Sequence, residues 1–270
     1  MAIQLAANLT LLFDAQVSWP ERCERAAAQG FLFAEVLFPY DRPATHYRRW
    51  LEAAGLQTML INTPVDGHFG LAAVEGAQKR FRQDLDRAIA VGNELGASAI
   101  HVMAGQAEPG GPSVSQTCLL ANLEYALKRV EGSQLVLMLE ALNQRDVPGY
   151  LYNHPAQVAA IIETLASPRL RQQFDFYHTL QEGLTLVDEL ERCRAGIGHI
   201  QIAQPPTRCE PSVRQGGMLD ALRRLAATGY EGKLGCEYYP ANGFEQGLEW
   251  LDTLYADEVV RPLKPRNRPL

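Results

Sequence analysis

Eight short apolar runs, separated by stretches of helical periodicity, set the strongest limit on how this chain can fold. The runs cover residues 4–8, 31–38, 57–62, 98–103, 135–140, 173–176, 197–202 and 233–237. Each has the length of a strand, and several are almost continuously apolar, as in Leu135-Val136-Leu137-Met138-Leu139. A strand buried on both faces reads this way, which suits a parallel sheet under helices. Between the runs, residues 19–28, 78–95, 155–165, 187–193, 217–227 and 244–255 set charges among apolar residues at helical spacing. Gly30, Gly55, Gly96 and Gly229 stand where helix ends call for a left-handed residue. Eight strand–helix units in 270 residues predict a single-domain α/β fold, the (β/α)8 TIM barrel, over an open doubly wound sheet. No Gly-x-Gly-x-x-Gly turn follows the first run and no phosphate-loop pattern occurs, so a nucleotide-binding fold loses its usual signs.

Composition narrows the partners. The net charge of −6 argues against a nucleic-acid surface. No apolar run approaches the roughly 20 residues that span a bilayer, so no membrane partner is expected. The start, Met1-Ala2-Ile3-Gln4, lacks the basic and apolar regions of a signal peptide. Five cysteines, Cys23, Cys118, Cys193, Cys209 and Cys236, show no metal or redox spacing and read as reduced thiols of a cytoplasmic protein. The barrel is expected over residues 1–255. Residues 256–270 read as a basic, proline-rich tail, mobile or laid across the barrel, with Arg261, Lys264, Arg266 and Arg268. An exposed helical face could hold a second copy in a homo-oligomer.

In a barrel the chemistry gathers at the C-terminal ends of the strands. Glu140 ends the fifth run, Asp175 falls at the end of the sixth, Gln201 lies in the seventh and Glu237 ends the eighth. Neighbouring strands lie about 4.8 Å apart, so four such side chains can converge. Three packed carboxylates repel, and burial raises their pKa values. A divalent cation removes that repulsion, and an all-oxygen donor set favours Mg²⁺ or Mn²⁺. One acid at a strand end is as often a cap or ion-pair partner; four at equivalent ends shift the balance toward a metal site. Gln201 is the weakest member, because an amide also serves as a neutral hydrogen-bonding group.

Other polar residues belong to the same face: His178, Arg208 and Glu210 after the strands, His101 and Glu35 on them, and Asn8 and Asn62 at two strand ends. His199 precedes Gln201 by two residues, so it shares that face one layer lower and reads as a buried, hydrogen-bonded histidine. The polar loops 143–153 and 203–217 follow strands and therefore sit at the catalytic end.

The motifs Ala6-Ala7-Asn8-Leu9, Leu37-Phe38-Pro39-Tyr40, Leu139-Glu140-Ala141-Leu142-Asn143 and Arg145-Asp146-Val147-Pro148-Gly149-Tyr150 occur in order along the chain. Phe174-Asp175-Phe176-Tyr177-His178, Gly198-His199-Ile200-Gln201-Ile202-Ala203 and Gly235-Cys236-Glu237-Tyr238 follow. From about Ala6 to Leu251 the chain resembles the hydroxypyruvate isomerase family, within the xylose isomerase-like TIM barrels. The resemblance implies interconversion of hydroxypyruvate and tartronate semialdehyde through an enediolate. It implies Glu140 and Glu237 as paired acid/base groups that also touch a divalent metal, with Asp175 and Gln201 as the other ligands. By similarity to sugar epimerases of the wider group, it implies His178 and Arg208 as contacts to substrate oxygens.

Two loops depart from the family pattern. Ser212-Val213-Arg214-Gln215-Gly216-Gly217 lacks an acid and adds a cation, and Val65-Asp66-Gly67-His68-Phe69-Gly70 is short. Gln144 stands where the family usually has His or another polar residue. These departures bear on the substrate more than the chemistry. Another small hydroxy-carbonyl acid or sugar, such as 2-oxo-tetronate, is the alternative substrate. A phosphodiesterase is disfavoured by six scattered histidines and the net charge. A barrel without catalysis is the remaining alternative.

Overall fold

The structure, a computed structural model, describes residues 2–65, 69–107 and 112–264, apart from the Pro112 side chain. Its strands are β1 (Gln4–Asn8), β2 (Phe33–Glu35), β3 (Gln57–Asn62), β4 (Ala99–His101), β5 (Val136–Glu140), β6 (Leu170–Asp175), β7 (Ile197–Ile202) and β8 (Lys233–Cys236). Each pairs in parallel with its chain neighbour, and β8 closes onto β1 with Gln4 opposite Lys233. This is the closed (β/α)8 barrel that the run count predicts.

The helices are α1 (Trp19–Ala28), α2 (Ala44–Ala54), α3 (Gln78–Leu95), α4 (Pro112–Arg129), α5 (Pro155–Leu165), α6 (Phe176–Gln181), α7 (Leu186–Cys193), α8 (Met218–Ala227) and α9 (Leu251–Ala256). Local chemistry sets their ends. Ser18 caps α1 by accepting from the Glu21 N–H, and Pro20 stands in the first turn. A capping box joins His154 and Gln157 at α5. Gly55 and Gly96 end α2 and α3 in the left-handed conformation, with φ of 67° and 62°. No helix among the described residues is long and apolar enough to cross a membrane.

Strand alternation splits the sequence between two environments. Outward residues such as Ile61, Ile100, Leu137, Phe174, Ile200 and Leu234 are fully buried beneath the helices. Inward, Leu60, Ala99 and Met138 form a small apolar plug of their own. Above the plug the interior turns polar. The last inward positions of β1 to β7 are Asn8, Glu35, Asn62, His101, Glu140, Asp175 and Gln201, and Glu237 follows β8 directly. All eight are buried.

Several elements differ from the sequence expectation. The run 31–38 yields only the three residues of β2, whose register with β3 shifts between Ala34 and Glu35. β6 begins at Leu170, before the expected 173, because Arg171 and Gln172 hide its start from a hydropathy reading. Phe176 opens α6 and does not continue the strand: the Asp175 carboxylate caps the turn by accepting from the Tyr177 N–H at 2.6 Å. The stretch 244–255 divides into a 3-10 turn at Gln246–Leu248 and α9.

Of the expected tail, residues 265–270, and with them Arg266 and Arg268, lie outside the described residues. The described part lies against the barrel's N-terminal end. Val260 bridges Ile3, and the Arg261 N–H donates to the Ile3 carbonyl at 2.8 Å. Gly30, with φ of 98°, admits this segment, since a Cβ there would strike the Lys264 backbone.

Candidate active site

At the barrel mouth a cavity of about 520 Å³ opens over the polar layer, with His101, Glu140, His178, Arg208 and Glu237 in its wall. Leu11, Leu37, Phe38, Phe69 and Met103 supply an apolar side. Of the loop 65–70, residues 66–68 lie outside the described residues.

Parallel pairing brings the acids together. Glu140 lies opposite Gln173 in the β5–β6 register, and Asp175 lies opposite Gln201 in the β6–β7 register. Ligand-type atoms of Glu140, Asp175 and His178 all fall within 4.8 Å of one another. Glu237 joins this group through Arg208. One guanidinium nitrogen, Nη2, donates to Glu237 Oε2 at 2.7 Å and lies 3.7 Å from Asp175 Oδ2.

Arg208 reaches inward from an unusual backbone position, with φ of 53° in the left-handed region. The turn is pinned on both sides. Gln204 N–H donates to the Cys209 carbonyl at 2.9 Å, and Tyr239 N–H donates to the Arg208 carbonyl at 2.8 Å. The guanidinium also packs over the Tyr177 ring, 5.1 Å from its centroid. Glu210 fastens the same loop to the one after β8, accepting from the Ala241 N–H at 2.7 Å.

Burial dominates the electrostatics. It raises the Glu140 pKa well above the carboxylate range, with help from the Glu237 and Asp175 charges. Asp175 is raised by burial too, against the opposing pull of Arg208 and the backbone N–H groups of Tyr177 and His178. Glu237 is pushed up to about 8, by burial first, although Arg208 holds it back. For Arg208, burial opposes the charge, but Glu237, Asp175 and Glu140 outweigh it and keep the guanidinium charged. His101 falls to about 3 through burial. Its Nδ1 stands 3.2 Å from Glu140 Oε2, yet neither ring nitrogen makes a hydrogen bond.

His178 is held neutral, by burial first and then by the nearby Arg208 charge. Its tautomer follows from its neighbours. Nδ1 accepts the Asn143 backbone N–H at 3.1 Å, and the Asn143 side-chain nitrogen lies 2.7 Å from the same atom. The ring proton therefore sits on Nε2, which faces Asp175 Oδ2 at 3.7 Å and Glu140 Oε1 at 3.9 Å. A nitrogen that carries a proton offers no lone pair to a cation, so this ring presents a donor to the cavity. Tyr177 and Asn143 both donate to Asp146 Oδ2, at 2.8 and 3.1 Å, which braces the loop around the ring.

The donor chemistry suits a hard cation. Glu140 Oε1 and Asp175 Oδ2 are buried atoms without a hydrogen-bond partner, and an orphaned buried carboxylate oxygen is costly unless a cation or proton meets it. The buried carboxyl groups of Glu140 and Asp175, at the ends of β5 and β6, could thus hold a metal ion, with His178 beside them as a hydrogen-bond donor.

Of the residues singled out in the sequence, Glu140, Asp175, His178, Arg208 and Glu237 come together around the cavity. Gln201 lies just beneath, fully buried, with its amide bonded to Gln173 and Glu35. His199 is the buried, bonded histidine its spacing predicts, 2.6 Å from Glu35 Oε1. Sequence reasoning passed over Gln173 and Asn143. Gln173 was accessible in principle, since it precedes Asp175 by two residues and shares its face. Asn143 acts through a backbone N–H as well as a side chain, which composition does not reveal.

With this geometry in view, the relatives are informative. Residues 23–254 match the family model described as xylose isomerase-like TIM barrel. A 2-oxo-tetronate isomerase of Cupriavidus necator is 37% identical over 92% of this chain and 97% of its own length. The hydroxypyruvate isomerase of Escherichia coli is 30% identical over 93% of this chain and 98% of its own. Among solved structures, a Brucella melitensis protein described as AP endonuclease, family 2, superposes with a TM-score of 0.87 at 30% identity, covering 93% of this chain and 98% of that one. The chain belongs to the hydroxypyruvate isomerase family of xylose isomerase-like TIM barrels and is an enzyme of the isomerase class.

Proposed function

We propose that the protein isomerises a small hydroxy-keto acid, with hydroxypyruvate as substrate and tartronate semialdehyde as product. The observation that carries the reading is a pair of buried carboxyl groups with raised pKa values, Glu140 and Glu237, in the wall of one cavity. Such groups can take and return a proton near neutral pH. One removes a proton from C3 of hydroxypyruvate, the electron pair forms a C2–C3 double bond, and the other returns a proton to C2. The C3 hydroxyl gives up its proton as C3 becomes the aldehyde carbon, and the C2 oxygen gains one, so the formula is unchanged.

Glu140, Asp175, Gln201 and Glu237 would hold a divalent cation, with Mg²⁺ or Mn²⁺ favoured by the oxygen donors. Bound there, it supplies Lewis-acid polarisation of the carbonyl and offsets the enediolate charge. His178 offers its Nε2 proton to a substrate oxygen. Arg208 is the guanidinium suited to the substrate carboxylate, which it can grip in a bidentate fork.

The test is turnover of hydroxypyruvate with added Mg²⁺ or Mn²⁺, against a chelated control and the Glu237→Gln variant. Metal-dependent conversion, lost in the variant, is the expected result. Solvent deuterium entering hydroxypyruvate without any conversion would sink this substrate. A second reading, 2-oxo-tetronate, is favoured by the 37% identity to an isomerase of that name. An endonuclease reading, after the Brucella neighbour's description, is opposed by the net charge of −6 and by a single candidate metal group among the described residues.

A further inference from the structure

A buried polar ladder runs beneath the carboxylates. Glu35, fully buried at the end of β2, is gripped by three side chains from two other strands, β1 and β7. Its Oε2 accepts from Asn8 Nδ2 at 3.0 Å and from Gln201 Nε2 at 2.8 Å, and its Oε1 lies 2.6 Å from His199 Nε2. A third strand makes room for it: at Gly235 on β8 any Cβ would collide with Glu35 Oε1. On its other side Gln201 Oε1 accepts from Gln173 Nε2 at 2.6 Å, and that same nitrogen donates to Glu140 Oε2 at 2.7 Å.

Each amide in this ladder has two orientations in principle, and the carboxylates at its ends select one. Glu140 takes a hydrogen from Gln173, so the Gln173 NH2 faces Glu140 and also Gln201. Gln201 must then meet it with oxygen. Glu35 takes the Gln201 NH2 on the opposite side. A flipped Gln201 would set its oxygen against a Glu35 carboxylate oxygen and its NH2 against the Gln173 NH2, losing both bonds.

We infer that Glu35 is a positioning residue that turns the carbonyl oxygen of Gln201 toward the Glu140 side, where a cation is to be held, and its NH2 away. The inference rests on the reading of Gln201 as a metal ligand. An amide can ligate a hard cation only through oxygen, so fixing the flip in advance removes the wrong orientation. The side chain that does this touches neither metal nor substrate.

Mn²⁺ binding, read by the loss of free-ion paramagnetic signal, tests it without reference to turnover. Glu35→Met, which leaves no acceptor for Gln201, should weaken Mn²⁺ binding by about 10- to 100-fold, while Glu35→Gln, which keeps an acceptor oxygen, should stay within about threefold. Gln201→Met should weaken binding by itself, and the double variant with Glu35→Met should be no weaker than Gln201→Met alone. Unchanged affinity in Glu35→Met, or additive losses in the double variant, would overturn the inference. Unchanged affinity in Gln201→Met would remove the ligand reading as well, and a native protein that binds no Mn²⁺ would remove the metal site itself. Should Glu35→Met fail to fold, the native protein suffices. Its Gln201 side-chain N–H signals should resist solvent exchange with and without Mg²⁺, while the Gln201 carbonyl carbon shifts on Mg²⁺ addition. Freely exchanging Gln201 N–H groups, or a static carbonyl signal, would overturn the assignment.

Discussion

Metal affinity should climb steeply with pH, and the slope can be worked from the site. A cation needs deprotonated carboxylates, so any proton bound in the metal-free protein must leave when the metal enters. Glu237, pushed up to about 8, carries its proton through most of the neutral range. Each pH unit below that value weakens binding about tenfold, equivalent to about 1.4 kcal/mol. Glu237 alone therefore gives about a fiftyfold rise in Mn²⁺ affinity between pH 6 and pH 8. Glu140, also raised by burial, steepens the rise. His178 adds nothing, because burial and Arg208 already hold it neutral. Calorimetry in buffers of different protonation enthalpy reads the proton count directly. At pH 6.5 binding should release at least about one proton, and Glu237→Gln should release about one fewer. An affinity that is flat from pH 6 to 8, with no proton release, would refute the argument that burial and crowding hold these carboxyl groups protonated.

The same shift bears on stability without metal. Glu237 is raised from its usual 4.5 to about 8, so between those values the folded state binds a proton that the unfolded state has lost. Stability then falls as pH rises across this window, and in chelator the melting temperature of the native protein should drop with pH relative to Glu237→Gln. A rise would contradict the sign. Replacing Arg208 by Met removes a charge-assisted bond at 2.7 Å and the proposed carboxylate anchor. Initial rates on hydroxypyruvate should show kcat/KM lower by about ten- to a hundredfold, from roughly 1.5–3 kcal/mol. Leu234, fully buried on the outward side of β8, is a control for packing. Denaturant unfolding of Leu234→Ala should show a loss of about 2–5 kcal/mol, with Mn²⁺ affinity unchanged.

The barrel was legible because its strands are buried on both faces, so hydropathy alone marks them. β5 shows this best, reading as an unbroken apolar run up to Glu140. Where a strand carries polar side chains on both faces the signal fails: Arg171 and Gln172 concealed the start of β6. Three helices had no periodic stretch of their own in the sequence: α4 and α6 were missed, and α2 was marked only by Gly55 at its end. α4 begins Pro112-Ser113-Val114-Ser115-Gln116-Thr117, a poor helical stripe. α2 follows Pro43, an N-cap without a side-chain bond. The acids at the site were legible because strand ends are countable in one dimension. The role of His178 was less so, since its tautomer is set by a backbone N–H from Asn143 in a different loop. The Glu35 ladder joins residues 27 to 166 positions apart, a separation that a period-two or period-3.6 reading cannot span.

The bridge between Ile3 and Val260 brings the two ends of the described barrel side by side, on the face opposite the carboxylates. That adjacency makes the order of the eight units a matter of convenience. A short linker could join the ends, and the chain could be reopened in a loop of the N-terminal face, with the strand neighbours unaltered.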